Sequence, residues 1–197
     1  MKKIVLLALA ASTVAVATPA SAQVTGTINL SGKVDAKCLV LPGSGATFGN
    51  TTATAINLGE LAGTDGTLRT GIAADVNSNV AMTARVVCTS ATPTISVDAD
   101  ALRTTAAAAT GYDNSIDYNA KVVVTRVNGT TVDSITFNND SSGSAQSSTA
   151  IGGRVANNGS DNIVITTNNF RTDNLTDLLV ASQNYSGSIV IVISPGA

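Results

Sequence analysis

The stretch SIDYNAKVVVTRVNGTTVDSITF, residues 115–137, decides the fold class of this chain. Ser115 to Val127 and Thr130 to Phe137 are two runs rich in β-branched residues, and Asn128-Gly129 stands between them. Branched side chains favour strands because they pack well on a pleated, half-buried surface. Asn-Gly is the preferred pair of a type I′ turn, whose two central residues both need positive φ. The pattern predicts an antiparallel hairpin, and with it a sheet.

Toward the C-terminus, Ser141 to Ser148 reads as a polar loop. Arg154 to Thr167 holds one or two strands, with Ile163 and Ile165 alternating against Val164. Leu175 to Val180 fits a helical turn or a strand lead-in. Tyr185 to Ile193 is almost continuously β-branched, which predicts a strand buried on both faces or paired on both edges.

Toward the N-terminus, residues 101–112 are rich in Ala and Thr without an apolar stripe of helical period, so a loop with at most one helical turn is expected. Thr94 to Ala99 reads as a strand with Ile95 and Val97 inward. From Val76 to Cys88 one parity carries Val76, Val80, Met82, Ala84, Val86 and Cys88, and the other carries Asn77, Asn79, Thr83 and Arg85. Period two predicts a long half-buried strand. Asp65-Gly66 signals a tight turn, Ala55 to Leu61 a short strand, and Leu41-Pro42-Gly43-Ser44-Gly45 a break. Short strands separated by turn signals read as an all-β chain, an immunoglobulin-like β-sandwich.

Residues 1–22 have the layout of a signal peptide: Lys2 and Lys3, an apolar run from Ile4 to Ala17, and the small residues Ala20-Ser21-Ala22. The apolar run is too short to span a bilayer, and no later segment is long enough, so the mature chain is expected to be exported and not membrane-embedded. Without Lys2 and Lys3 there remain 9 basic and 13 acidic residues, a net charge of −4. No basic patch exists to neutralise phosphates, which argues against nucleic acid as a partner. In an exported chain Cys38 and Cys88 read as one disulfide.

The chain has no His. That removes Ser–His–Asp and Cys–His arrangements, and an oxidised cysteine pair offers neither a nucleophile nor a metal ligand. Asp98, Asp100, Asp113 and Asp117 are the carboxylates that could pair for glycoside hydrolysis, but aromatic platforms for a sugar are scarce. Asp98 and Asp100 could hold calcium only loosely, since the spacing of an EF-hand loop is absent. No catalytic residues, metal or cofactor are assigned, and no enzyme activity is expected.

The segment ahead of the first cysteine alternates again. Val24, Gly26, Ile28 and Leu30 lie on one side, Thr25, Thr27, Asn29 and Ser31 on the other. A lone strand needs a sheet to join. Lying outside the disulfide loop, this one could serve its own domain or be lent to another molecule, and the second reading is adopted.

These residues resemble a family. Val24-Thr25-Gly26 with Ile28, Leu30 and the first cysteine look like the start of archaic chaperone–usher pilins, the spore coat protein U-like group. Val86-Val87-Cys88 is similar to the strand carrying their second cysteine. Tyr185-Ser186-Gly187-Ser188 followed by Ile189 to Ile193 is similar to their final strand. The chain departs from the pattern in running past that strand through Ser194-Pro195-Gly196-Ala197.

The resemblance implies residues 1–22 as signal peptide, 23–33 as donor-strand extension and 34–197 as an immunoglobulin-like pilin domain. Such a domain lacks its last strand and is completed by a neighbouring subunit. It implies a structural subunit of a cell-surface pilus or fimbria with a role in adhesion or biofilm formation. The partners are a periplasmic chaperone, an outer-membrane usher and like subunits joined head to tail. Val24, Gly26, Ile28 and Leu30 would be the donor residues, and Tyr185, Ile189, Ile191 and Ile193 would mark the groove edge. The competing reading is a self-complete exported β-sandwich, a matrix or carbohydrate-binding protein.

Overall fold

A computed structural model describes residues 26–41, 55–79 and 82–196. The signal-peptide region 1–22, Val24, the break at 42–45 and Val80 lie outside the described residues. The chain divides into two units, Met1–Lys33 and Val34–Ala197. In the first, the described residues 26–33 carry no helix or strand and are exposed.

The second unit is all-β and mainly antiparallel. Its strands are β1 (Cys38–Val40), β2 (Thr83–Ala84), β3 (Val86–Cys88), β4 (Thr94–Arg103), β5 (Tyr112–Asp113) and β6 (Ser115–Asn128). There follow β7 (Thr131–Asp140), β8 (Thr149–Ala150), β9 (Arg154–Val155), β10 (Ile163–Arg171), β11 (Leu178–Leu179) and β12 (Ser186–Ser194), while α1 (Ile72–Asn77) is a short helix. One network runs in the order β12–β4–β6–β10–β2, with β7 and β9 on β6 and β8 on β4. The pairs β1–β3 and β5–β11 stand apart from it.

The hairpin is the centre of this network. β6 pairs with β7 from Asn119↔Asp140 to Asn128↔Thr131, and with β10 from Asp117↔Arg171 to Val124↔Ile163. Its even-numbered residues Ile116, Tyr118, Ala120, Val122 and Val124 are buried. Val122 and Val124 pack in one cluster with Ile95 and Val97 from β4, Phe137 from β7 and Ile163 and Ile165 from β10, while Tyr118 and Ala120 form a second with Ala99 of β4. Full burial of each larger aliphatic side chain contributes roughly 1.5–3 kcal/mol. The turn differs from the expected type. Because Asn128 pairs with Thr131, its central residues are Gly129 and Thr130, and positive φ is found at Gly129 alone (63°). That is the requirement of a II′ turn, where glycine comes first, and not of I′.

Three other expectations are corrected. The run Val76–Cys88 is not one strand: it is the end of α1, then β2 and β3 with different partners. Gly71, at φ 89°, turns the chain into the helix, and Ile72 and Val76 are buried four residues apart, one helical turn. The even parity of Val76, Met82, Ala84 and Val86 records inward direction in both helix and strand. Ala55–Leu61 forms no strand. Ile56, Leu58 and Leu61 do pack on the core, but the carbonyls of Leu58 and Glu60 accept from the Arg69 guanidinium, and Gly59 breaks the extended run at φ 64°. Residues 101–112 begin as strand, since β4 continues to Arg103 before the loop.

Where ladders stop, side-chain amides continue them. The fully buried Asn162 accepts from Val86 N (2.8 Å) through Oδ1, and its Nδ2 donates to Val86 O (2.6 Å) and Ala156 O (2.5 Å). Asn77 does the same for Thr167, accepting from its N–H (2.7 Å) and donating to its carbonyl (2.9 Å). Asn139 accepts from Ala99 N (2.8 Å) and donates to Ser144 O (3.0 Å).

Cys38 and Cys88 are disulfide-bonded and directly opposite in the β1–β3 ladder. Closing a chain segment of 50 residues contributes about 4 kcal/mol in the chain-entropy account. Replacing both cysteines by serine is expected to lower stability by up to about that amount. Unfolding by denaturant measures it, and an unchanged midpoint would refute it. Gly129→Val should destabilise the domain by about 1 kcal/mol or more, because a β-branched residue resists positive φ. An unaltered melting temperature would show that the turn tolerates it.

Candidate functional site: the open edge of the last strand

β4 is covered along both edges. On one side it pairs with β12, from Arg103↔Ser186 to Thr94↔Ser194. On the other it meets β8 at Thr94 and Ile95, the Gln146 N–H at Val97 O (3.0 Å), the Asn139 amide at Ala99 N, and β6 at Leu102 and Arg103. β12 has β4 on one edge and no ladder on the other among the described residues. In a strand, alternate N–H and C=O groups point away from the partner, so this edge presents unpaired backbone groups.

The expectation for this segment is therefore corrected. β12 is not buried on both faces, and among the described residues it is not paired on both edges. Val190 and Val192 are about half exposed (49% and 51%), and Ile189, Ile191 and Ile193 on the other face are only partly buried although they pack on the core. Their ladder partners on β4, Ala99, Val97 and Ile95, are at 2%, 0% and 0%. The cover of the core thus thins across the width of one strand.

Free edges are normally blunted by charges, proline or short length. β12 is nine residues long with no charge and no proline, whereas β7, whose ladder is with β6, carries Asp133 and Asp140. Asp133 is tied to Arg126 (2.8 Å), whose hydrogen bond holds its carboxyl below the usual range. Asp140 is likewise held down, by the Ser142 amide and hydroxyl and by Arg171. β12 has no such guard.

Its approach is fixed by two tyrosines. Tyr185, just ahead of β12, donates its hydroxyl to Val180 O (2.9 Å) and Asp113 O (3.3 Å), and burial with Asp113 nearby raises its pKa. Tyr118 of β6 stacks on Phe170 (centroids 5.1 Å apart) and donates to Ser188 O (2.9 Å). Burial, with Asp100 and Asp98 close by, pushes its hydroxyl well above the usual phenol range. Between these contacts the register shifts at Gly187, where a Cβ would lie 2.7 Å from Asp100 O and 2.8 Å from Ala101 O. Tyr118 was not singled out in the sequence, and Gly187 entered only as part of the run Tyr185 to Ser188. Tyr118 shares the inward parity of Val122, but a close backbone approach leaves no mark beyond the glycine itself.

The other anticipated residues are placed as follows. Cys38 and Cys88 are joined. Ile28 and Leu30 are almost fully exposed (87% and 93%), Gly26 is exposed with open space around it, and Val24 lies outside the described residues. Among the described residues no cluster of acidic or cysteine side chains could hold a metal, and no helix is long and apolar enough to cross a membrane.

Comparison of the chain with protein-family models, with curated proteins and with solved structures found no match in any of the three.

Gly187→Ala is expected to cost about 1–3 kcal/mol by forcing the start of β12 off the Asp100 and Ala101 carbonyls. Chemical denaturation checks this, and an unchanged midpoint would show that the approach is not tight.

Proposed function

We propose that the chain is a structural subunit of a surface pilus or fimbria, assembled by lending its N-terminal segment to the next copy. In this reading residues 34–197 are an immunoglobulin-like sandwich lacking one strand. The observation that carries it is β12, a long, uncharged, unguarded edge beside a half-covered row of isoleucines.

The donor in this reading is the segment of Val24, Gly26, Ile28 and Leu30. Its two large apolar side chains are exposed in the single chain, and burying each would contribute roughly 1.5–3 kcal/mol. Addition of a strand to an open edge takes affinity from main-chain hydrogen bonds and register from alternate side chains. The contact is head to tail, so it propagates into a filament instead of closing. A periplasmic chaperone would cover the edge before assembly and an outer-membrane usher would exchange it. Adhesion or biofilm formation follows as the role of such a filament. The disulfide accords with an oxidising compartment on the way out of the cell.

Ile28→Asp with Leu30→Asp tests this. The double variant should fold and co-purify with its chaperone yet fail to polymerise, because an unpaired carboxylate would be forced into an apolar slot. Normal fibres from the variant would refute strand lending. Loss of the soluble chaperone complex would favour a self-complete exported sandwich, a matrix or carbohydrate-binding protein.

A further inference from the structure

Asn-Gly occurs twice, at Asn128-Gly129 and Asn158-Gly159. This dipeptide is chemically labile, because glycine leaves its own backbone nitrogen unshielded beside the asparagine amide. By sequence the two are equivalent, and both are exposed. Their surroundings differ. Asn128 is the last residue of β6, paired with Thr131, so the ladder holds its peptide plane extended. Asn158 lies outside any strand, in the bend between β9 and β10. Gly159 is at φ 86° with nothing within 4 Å of where a Cβ would stand. The Ser160 N–H donates to Asn158 Oδ1 (3.2 Å).

We infer that Asn158 is a site of spontaneous deamidation and that Asn128 is protected by the hairpin. The Gly159 nitrogen, losing its proton, adds to Cγ of Asn158. Negative charge then develops on Oδ1, where the Ser160 N–H stabilises it as a donor stabilises any such oxyanion. The tetrahedral carbon collapses, Nδ2 leaves as ammonia, and a cyclic imide closes. Water opens the imide at Cγ to give Asp, or at the main-chain carbonyl to give isoaspartate. One water is consumed and one ammonia released, with no oxidant or catalyst. At Asn128 the same attack requires rotation of a peptide plane that the β6–β7 ladder fixes.

The modified loop gains a carboxylate three residues before Asp161, whose Oδ2 accepts from Thr83 (2.7 Å), and next to Asn157, which accepts from Arg85 (3.0 Å). Isoaspartate also lengthens the backbone ahead of Asn162, the amide that joins β3 to β10. A chemical clock thus sits in the loop leading to a fully buried amide that makes three side-chain hydrogen bonds.

The test is ageing of the purified, oxidised protein at mildly alkaline pH, followed by trypsin and mass spectrometry. Cleavage after Arg126, Arg154 and Arg171 places the two asparagines in separate peptides. The denatured chain, aged in parallel, supplies the unprotected rate of each site. Asn158 is expected to react in the folded protein within a few-fold of its denatured rate, and Asn128 to be slowed at least about tenfold, as protection by local structure requires. Comparable protection at both sites, or faster reaction at Asn128, would overturn the inference. Ser160→Pro removes the donor, so the folded-state rate at Asn158 should fall while Asn128 is unaffected. An unchanged rate would remove the oxyanion role.

Discussion

Every peptide group taken out of water must find a partner, and this fold depends on how that requirement is met where its ladders break. Val86 opens β3 opposite Val40 of β1, and its own N–H and carbonyl are met by a side chain instead of a further strand. Asn162 supplies the missing donor and acceptor from a side chain with no exposed surface, and its own backbone donates to Ala84 O and accepts from Thr125 N. One residue thereby ties β2, β3, β6 and β10 together. Removing its side chain would leave the Val86 and Ala156 groups buried and unpaired, a cost of about 1–3 kcal/mol for each.

The same solution recurs at Asn77 and Asn139, and Arg69 applies it to the carbonyls of residues 58 and 60. It permits many short strands where long ones are expected, since a strand can end without exposing its last peptide. It also explains why a chain so rich in asparagine, a residue depleted in strands, still builds a sheet protein. Those asparagines act as detached pieces of backbone.

Against that thoroughness the outer edge of β12 stands out. Each edge of β4 is met by strand, side chain or loop, and one strand further the pairing stops among the described residues. The edge is not loosely held: Tyr118, Tyr185 and the close approach at Gly187 fix where β12 begins. An uncharged edge, unpaired among the described residues and lying over half-covered isoleucines, suits the addition of one more strand, which is why the proposed function rests there. In such an assembly the segment with Ile28 and Leu30 would gain the sheet that a lone strand cannot do without.

The residues by themselves determined the class and its centre. The two β-branched runs around Asn128-Gly129 marked the hairpin, while Ile95 and Val97 marked β4, and Ile163 and Ile165 marked β10, because period two survives whatever the sheet packs against. The cysteine pair was legible for a similar reason: with two cysteines in a chain expected to be exported there is one pairing. Tertiary structure decided the rest. Parity could not tell the helix ending at Asn77 from a strand, since an inward residue is apolar in either. A β-branched run at 185–193 reads alike whether a second neighbour exists or not, and only the arrangement of β4 left that edge open. The turn type at Gly129, the close approach at Gly187 and the bridging role of Asn162 depend on which backbone lies nearby. Sequence encodes the side chain at each position, while those features are set by peptide groups brought together from far along the chain.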